Sequence, residues 1–169
     1  MIYRLKEFKG DTIPVPQLIF SKLGIAEEYN VRVALYVLAT GITDPDAVAQ
    51  MSGSFVEMGG DSCVVYSRTG TRLNSIQSGY ARPALAAGKT RFVLYNRSGN
   101  ELRVESRTQN LYTKQLENST FLCAMSDNGT LAVVTEDQTS MAKLLVYSPS
   151  MEQQLSWSMT SNDGTPLRL

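Results

Sequence analysis

Three carboxylates are the first candidates for chemistry in this chain. Asp61, Glu105 and Glu136 could move protons only if they converged in one pocket, and their spacing does not suggest this. The chain has no histidine, which excludes a histidine-based triad, a histidine-ligated metal and an imidazole general base. We therefore predict that the protein is not an enzyme, and we assign no catalytic, cofactor-binding or metal-binding residue.

Arginines and tyrosines could instead bind phosphate or stack on bases. Six arginines make the middle of the chain mildly basic: Arg68, Arg72, Arg91, Arg97, Arg103 and Arg107. We interpret them as residues of solvated turns or partners of neighbouring carboxylates. Four tyrosines alternate with polar residues: Tyr66, Tyr95, Tyr112 and Tyr147. Such alternation favours packing in a core or interface over stacking on bases.

Short motifs for ions and phosphates are incomplete. Asp127-Asn128-Gly129 predicts a tight turn. It does not predict a calcium loop, because the further spaced oxygen ligands of such a loop are not there. Gly59-Gly60 and Gly88-Lys89-Thr90 lack the spacing of a phosphate loop. Cys63 and Cys123 have neither a CxxC nor a metal-ligand spacing, so we expect two small buried hydrophobic residues.

Composition indicates an ordinary globular protein. The 169 residues are 43% hydrophobic and 19% charged, with 16 basic residues balancing 16 acidic ones. A net charge of zero removes any overall attraction to nucleic acid or an anionic membrane, which argues against nucleic acid as a partner. The longest apolar stretch, Val31–Ala39, is too short to span a bilayer, and Met1–Gly10 lacks the apolar region of a signal peptide. As written, the chain is predicted to be cytoplasmic.

Helical patterns are confined to residues 1–52. Gln17–Leu23 is a predicted helix after a proline-containing entry segment. Asn30 is a suitable N-cap for a second helix that runs to Thr40 and carries apolar residues on nearly all sides. Asp44-Pro45 is a further start signal, which predicts a short helix from Pro45 to about Met51.

The segment Ile13–Met51 resembles the opening of the winged-helix domain of DnaD-like replication proteins. Val15-Pro16, Leu38–Gly41 and Asp44-Pro45 stand at the places of that family's helix entry, turn and third-helix cap. The recognition helix and wing of the family have no counterpart in Ser52–Gly60. The resemblance implies a winged-helix remnant or a helical cap, with a DNA-replication-associated role as the alternative function.

From Phe55 onward the chain repeats with a period near forty residues. Val65, Val104 and Val146 begin three superimposable segments that are 39 and 42 positions apart. Between them, Arg91–Tyr95 and Leu131–Thr135 are equivalent predicted strands. Four strands per forty residues is the pattern of β-propeller blades.

Residues Gly79–Ser158 resemble a family of uncharacterised bacterial propeller proteins, classed as a domain of unknown function. The shared motifs are a Gly-Tyr-x-x-Pro start, a hairpin with Arg97 and Leu102–Arg107, and Asn128-Gly129 followed by Ala132-Val133. The resemblance implies a propeller fold and no known activity. Members resemble membrane-anchored extracytoplasmic proteins, which leaves the compartment open.

The combined prediction is a mainly β protein with a small α N-terminal part. Residues 1–52 form the helical segment, and residues 53–169 form an incomplete propeller-like array of about two and a half four-stranded blades, packed with the N-terminal helices. About two and a half blades cannot close a propeller ring within one chain, so the array is open. Three explanations of this open array are left: a fusion of two fragments, a homo-oligomer that completes the ring, and capping by the helices. We predict a non-catalytic binding or scaffolding module for a protein or small ligand, with possible self-association through the open blade edge and no cofactor.

Overall fold

The computed structural model describes residue 42 and residues 45–164 as three four-stranded antiparallel sheets in chain order. The first sheet contains β1 (Ala47–Met51), β2 (Ser54–Gly59), β3 (Ser62–Ser67) and β4 (Arg72–Gln77). The second contains β5 (Pro83–Ala87), β6 (Arg91–Asn96), β7 (Glu101–Ser106) and β8 (Asn110–Gln115). The third contains β9 (Thr120–Met125), β10 (Leu131–Thr135), β11 (Ala142–Tyr147) and β12 (Gln153–Met159), and a 3-10 turn, Ser161–Asp163, follows it.

The repeat found in the sequence corresponds to one position in each sheet. Val65, Val104 and Val146 lie near the ends of β3, β7 and β11, and the pairing with the next strand shifts register immediately after each of them. A bulge at this point bends and twists the strand before its hairpin turn. The predicted strands Arg91–Tyr95 and Leu131–Thr135 are confirmed as β6 and β10.

A serine follows the bulge in each sheet and organises the hairpin turn. Its side-chain oxygen accepts a hydrogen bond from a backbone N–H later in the turn, which substitutes for a missing main-chain partner. The three bonds run from Thr71 to Ser67 at 3.0 Å, from Gln109 to Ser106 at 3.1 Å, and from Glu152 to Ser148 at 3.1 Å. This recurring bond explains the serine in each repeat.

The second sheet is buried on both faces. Phe92 and Leu94 of β6 pack against the first sheet, whereas Val93 and Tyr95 pack against the third. None of the four is more than 4% exposed. Burial on both faces requires a continuous apolar run in place of alternation, and each such side chain stabilises the fold by about 1.5–3 kcal/mol.

The sheets contact each other mainly through their first strands. β1 packs against β5, and β5 and β6 pack against β9. At one end of the molecule the turns that follow these strands also stack. The Ser52 N–H donates to the Lys89 carbonyl at 2.7 Å, and Gly88 lies so close to the Ser126 carbonyl that a Cβ would be 2.1 Å from its oxygen.

The helix predicted from Pro45 to Met51 is wrong. Ala47–Met51 is β1, which pairs with β2 from Ala47↔Met58 to Met51↔Ser54. Pairing with β2 and packing on β5 outweigh the local cap signal of Asp44-Pro45. The helices predicted over residues 17–23 and 30–40 lie outside the described residues. Among the described residues, no helix is long and apolar enough to cross a membrane.

The number of repeats also differs from the prediction. The described residues contain three complete four-stranded sheets, whereas the sequence predicts about two and a half. One strand that the sequence does not predict is β1, because its residues carry the pattern of the short third helix. Its small residues Ala47 and Ala49, which contact the core between the first and second sheets, fit a helix pattern as well as a strand pattern.

We predict that Gly88→Ala destabilises the protein by about 1–3 kcal/mol, because the added methyl group would collide with a backbone carbonyl that cannot move alone. Urea denaturation measures the effect. Gly99→Ala is the comparison variant: its Cβ would crowd the Asn96 side chain in place of a backbone carbonyl, so we expect a loss of stability smaller than that of Gly88→Ala. Equal stability of Gly88→Ala and wild type would contradict this account of the stacked turns.

Candidate ligand-binding site

A pocket of about 550 Å³ opens between the first and second sheets, at the end where the turns stack. Four turns surround it: those between β1 and β2, β3 and β4, β5 and β6, and β7 and β8. We call it the hairpin pocket. Its lining residues are Ser52, Gly53, Ser67, Leu73, Lys89, Thr90, Ser106, Arg107 and Thr108.

The lining of the hairpin pocket combines cations with hydroxyl groups. It contains five serine or threonine side chains, one lysine, one arginine and no carboxylate. Arg107 is exposed and has no ion pair among the described residues. Lys89 pairs outside the pocket with Asp127 at 2.7 Å, and this hydrogen bond holds the pKa of Lys89 above its usual value. The pocket is therefore positively charged and rich in hydrogen-bond donors.

One backbone hydrogen bond between the two sheets and one within the first sheet hold the pocket in shape. The bond from Ser52 N–H to the Lys89 carbonyl joins the first turn of each sheet, and the Arg68 N–H donates to the Gly53 carbonyl at 3.2 Å. Gly53 has a φ of +74°, a left-handed conformation that suits glycine. Arg107 Nη1 lies 3.7 Å from the point that a Cβ on Gly53 would occupy, which places the guanidinium beside this turn.

An arginine lines the hairpin pocket, whereas the equivalent position at the junction of the second and third sheets is a proline. Arg107 stands three positions after Val104 of β7. Arg68 and Pro149 hold the equivalent positions in the other two sheets. At the junction of the second and third sheets, the Pro149 carbonyl accepts a hydrogen bond from Arg91 Nη1 at 2.7 Å. A free cation therefore faces the hairpin pocket, while the next junction is closed by a direct bond.

A second pocket, of about 620 Å³, lies at the opposite end of the first two sheets. Asp46, Asp61, Tyr80 and Arg97 are among its lining residues. Asp46 accepts a hydrogen bond from the Gly60 N–H at 2.9 Å, and the Tyr80 hydroxyl donates to Glu101 at 2.8 Å. Burial, followed by the bond to Glu101, raises the pKa of Tyr80. Charges of both signs line this pocket, so it favours no sign of ligand.

The three carboxylates considered in the sequence are not brought together. Asp61 is exposed in the turn between β2 and β3 of the first sheet, and Glu136 is exposed after β10 of the third. Glu105 is 1% exposed within β7. Among the described residues, no group of three or more His, Cys, Asp or Glu residues could hold a metal ion.

Glu105 forms a buried ion pair between the first and second sheets. Its Oε1 accepts hydrogen bonds from Arg103 Nε at 3.0 Å, Arg103 Nη2 at 2.9 Å and Asn110 Nδ2 at 2.8 Å. Tyr66 and Tyr147 occupy the equivalent position in the other sheets and are 3% and 2% exposed. The second sheet thus replaces a packed aromatic ring with an ion pair.

Three of the four tyrosines and both cysteines are buried, as predicted, and Tyr112 is not. Tyr66, Tyr95 and Tyr147 are buried, whereas Tyr112 is 36% exposed. Cys63 and Cys123 are free and buried, in the cores between the first and second and between the second and third sheets respectively. Burial, with a smaller contribution from Glu105, raises the pKa of the Cys63 thiol to about 12.

Sequence reasoning missed Lys89 and Arg107 as residues of one pocket. They are distant from any phosphate-loop motif, and the stacking of successive turns brings them together. A usable signal was present, because Ser-Arg-Thr recurs after the valine of the first two repeats but is Ser-Pro-Ser in the third. A difference between equivalent positions of the repeats indicates which pair of neighbouring sheets is joined differently from the other pair.

The geometry defines a protein of repeated four-stranded sheets with a cationic pocket between two of them. Residues 29–169 match the model of a family of unknown function, DUF5711, and the chain belongs to that family. The match includes residues 29–51 of the segment that resembles DnaD-like proteins. No curated protein matches the chain.

We predict that replacing Glu105 by Gln lowers the free energy of unfolding by about 2–4 kcal/mol, because it leaves a partly buried guanidinium without its counter-charge. A double-mutant cycle with Arg103→Gln measures the coupling directly. Glu152→Gln, at an exposed position, is the control and should change stability by less than about 0.5 kcal/mol. A coupling energy near zero would show that the pair does not stabilise the junction.

Alkaline pH should destabilise the protein through Cys63. Its folded-state pKa of about 12 lies above the ordinary value of 9.0, so the unfolded chain binds fewer protons than the native protein in that window. The free energy of unfolding therefore falls as pH rises above 9, by at most about 1.4 kcal/mol per pH unit for this group. Cys63→Ala should reduce that slope by the contribution of this one thiol, while the Cys123 thiol, whose pKa is also raised by burial, continues to contribute.

Val65→Ala is the matched control for this measurement, because Val65 is buried in the same core and has no ionisable group. It should lower stability at every pH and retain the wild-type slope. Urea denaturation at a series of pH values provides both quantities. Equal slopes in wild type and Cys63→Ala would contradict the assignment to the thiol.

Proposed function

We propose that the three sheets are consecutive blades of a β-propeller-like array. Each sheet is a four-stranded meander, its first strand contacts the first strand of the next sheet, and its fourth strand is the most exposed. The bulge and the serine turn recur at one position in every sheet. Repetition of the same unit with the same neighbour contact supports a radial array over a two-layer sandwich.

Within this array, we propose a non-catalytic binding role in which the hairpin pocket accepts an anionic group. The observation that carries the proposal is the lining itself: Arg107 and Lys89 with five hydroxyl groups and no carboxylate. A guanidinium binds carboxylate or phosphate oxygens through paired N–H donors. The Ser52, Thr90 and Thr108 hydroxyls supply additional donors whose direction can adjust to the ligand. The Ser67 and Ser106 hydroxyls are engaged within their own turns.

The buried carboxylate belongs to the scaffold in this proposal. Glu105 is held by Arg103 and Asn110 and is not among the residues that line the hairpin pocket. Its two partners use Oε1, which fixes the side chain inside the junction. A carboxylate held in this way stabilises the pocket walls, and the ligand is recognised by the cations and hydroxyls at the pocket mouth.

The binding test is a titration of the full chain with inorganic pyrophosphate at low salt, followed by calorimetry. For an open pocket with one free arginine we expect a dissociation constant on the order of millimolar to high micromolar, weakened by added salt. Arg107→Gln should weaken binding about tenfold or more, which corresponds to the loss of one charge-assisted contact. Lys89→Gln should have a smaller effect, because Asp127 already neutralises that ammonium group.

Arg72→Gln is the matched control, since Arg72 is an exposed arginine of β4 that does not line the pocket. Its affinity for pyrophosphate should equal that of wild type. Equal losses in Arg107→Gln and Arg72→Gln would indicate nonspecific attraction to surface charge and refute the pocket. Duplex DNA should show no shift above nonspecific binding. No observation on the described residues favours the DNA-replication alternative, and the part of its segment that the structure describes includes β1.

A further inference from the structure

Lys89 lies where three successive turns meet. Its carbonyl accepts the hydrogen bond from the Ser52 N–H of the first sheet, and the preceding residue, Gly88, lies directly against the Ser126 carbonyl of the third sheet. These contacts fix the backbone of Lys89 from both sides. The side chain is 65% exposed, and its flexible four-carbon stem can turn toward either neighbour.

The Lys89 ammonium group lies between two places where it can bind an anion. One is the hairpin pocket, which Lys89 lines. The other is Asp127, in the turn between β9 and β10, whose Oδ2 lies 2.7 Å from Lys89 Nζ. Asp127 does not line the pocket. Its carboxylate offsets the charge of Lys89 and uses one of the three ammonium donors, so it competes with an anion in the pocket.

Asp127 is held in place independently of Lys89. A backbone hydrogen bond from the Gly129 N–H to the Ser126 carbonyl, at 3.0 Å, closes its turn. The Asp127 carboxylate takes no part in that bond and is 67% exposed. Removal of its charge should therefore leave the turn folded.

The pair between Lys89 and Asp127 is weak enough for a ligand to break. Both side chains are about two-thirds exposed, and water and salt screen such pairs strongly. An anion that enters the pocket can therefore take Lys89 from Asp127, and its affinity is reduced by the strength of the pair. Because the pair is exposed, this reduction amounts to a few-fold change in the dissociation constant.

We propose that Asp127 is an internal competitor for Lys89 and thereby lowers the affinity of the hairpin pocket for anions. The inference rests on the proposed function, because it requires that the pocket bind an anion. It adds that a residue of the third sheet tunes a site between the first two sheets. With Asp127 in place, Arg107 is the main cation of the pocket; without it, Lys89 becomes a second one.

Calorimetric titration of the full chain with inorganic pyrophosphate at low salt tests the proposal in a double-mutant cycle. Asp127→Asn should bind pyrophosphate about two- to fivefold more tightly than wild type, which is the range that one exposed ion pair provides. In the Lys89→Gln background the same replacement should leave the affinity unchanged, because no ammonium group remains to be released. Asp127→Glu keeps the charge and should bind with an affinity closer to that of wild type than to that of Asp127→Asn.

Glu152→Gln is the matched control for the loss of one negative charge. Glu152 is exposed in the turn between β11 and β12, at the same end of the third sheet, and has no ion pair among the described residues. This variant should bind pyrophosphate like wild type. An equal gain of affinity in Glu152→Gln and Asp127→Asn would indicate general electrostatic attraction and overturn the proposal.

The ionisation of Lys89 gives a second measurement that needs no ligand. The hydrogen bond to Asp127, followed by the charge of that carboxylate, raises the pKa of Lys89. NMR titration of the lysine side-chain resonances should therefore show a lower pKa of Lys89 in Asp127→Asn and a wild-type pKa in Glu152→Gln. An unchanged pKa in Asp127→Asn would show that the pair does not form in solution, which would refute the competition.

Failure of this proposal is distinguishable from failure of the proposed function. If wild type binds pyrophosphate through Arg107 but Asp127→Asn binds no more tightly, the pocket is retained and Asp127 is not a competitor. A gain of affinity that persists in the Lys89→Gln background would assign the effect to another group and also overturn the proposal. If neither wild type nor Asp127→Asn binds pyrophosphate, the pocket itself is refuted, together with the role of Asp127.

Discussion

The burial of the second sheet on both faces is the constraint on which the rest of the structure depends. β6 contributes side chains alternately to the core shared with the first sheet and to the core shared with the third. A strand that must satisfy two cores cannot have a polar face, which accounts for the run from Phe92 to Tyr95. Because the second sheet takes part in both interfaces, we expect the three sheets to unfold as one unit. As in other repeat proteins, contacts between neighbouring sheets contribute much of the stability.

Because the second sheet is buried on both faces, the Glu105 ion pair places a carboxylate inside a core. The other two sheets carry a tyrosine at the same position, so the repeat itself does not require a charge there. A buried pair costs desolvation that only good geometry offsets, and Arg103 and Asn110 supply that geometry. The first junction therefore has a polar interior next to Cys63, whose core lies between the same two sheets. The Glu105–Arg103 pair and the hairpin pocket both lie between the first and second sheets. The two sheets whose contact departs from the repeat are therefore also the two that form the cationic pocket.

The sequence was most informative where local rules coincide with the repeat. The valine, the bulge and the serine recur because every hairpin must turn at the same point, so sequence self-comparison could locate β6 and β10. β1 was missed because Asp44-Pro45 is a sound helix-start signal, and only pairing with β2 and packing on β5 reveal the strand. The hairpin pocket was missed for a related reason. Lys89 and Arg107 converge through the stacking of turns from two sheets, and no local spacing in the sequence encodes that contact.

The same repeat logic accounts for the outward face of the third sheet. The second sheet buries one face against the first sheet and the opposite face against the third. In the third sheet the outward face is built like these, with apolar residues in every cross-strand row. A surface that only met water would gain nothing from Trp157 and Leu155 side by side. The apolar residues on this face of the third sheet thus follow the rule of the repeat, and Val134 among them is as fully buried as the core residues between the other sheets.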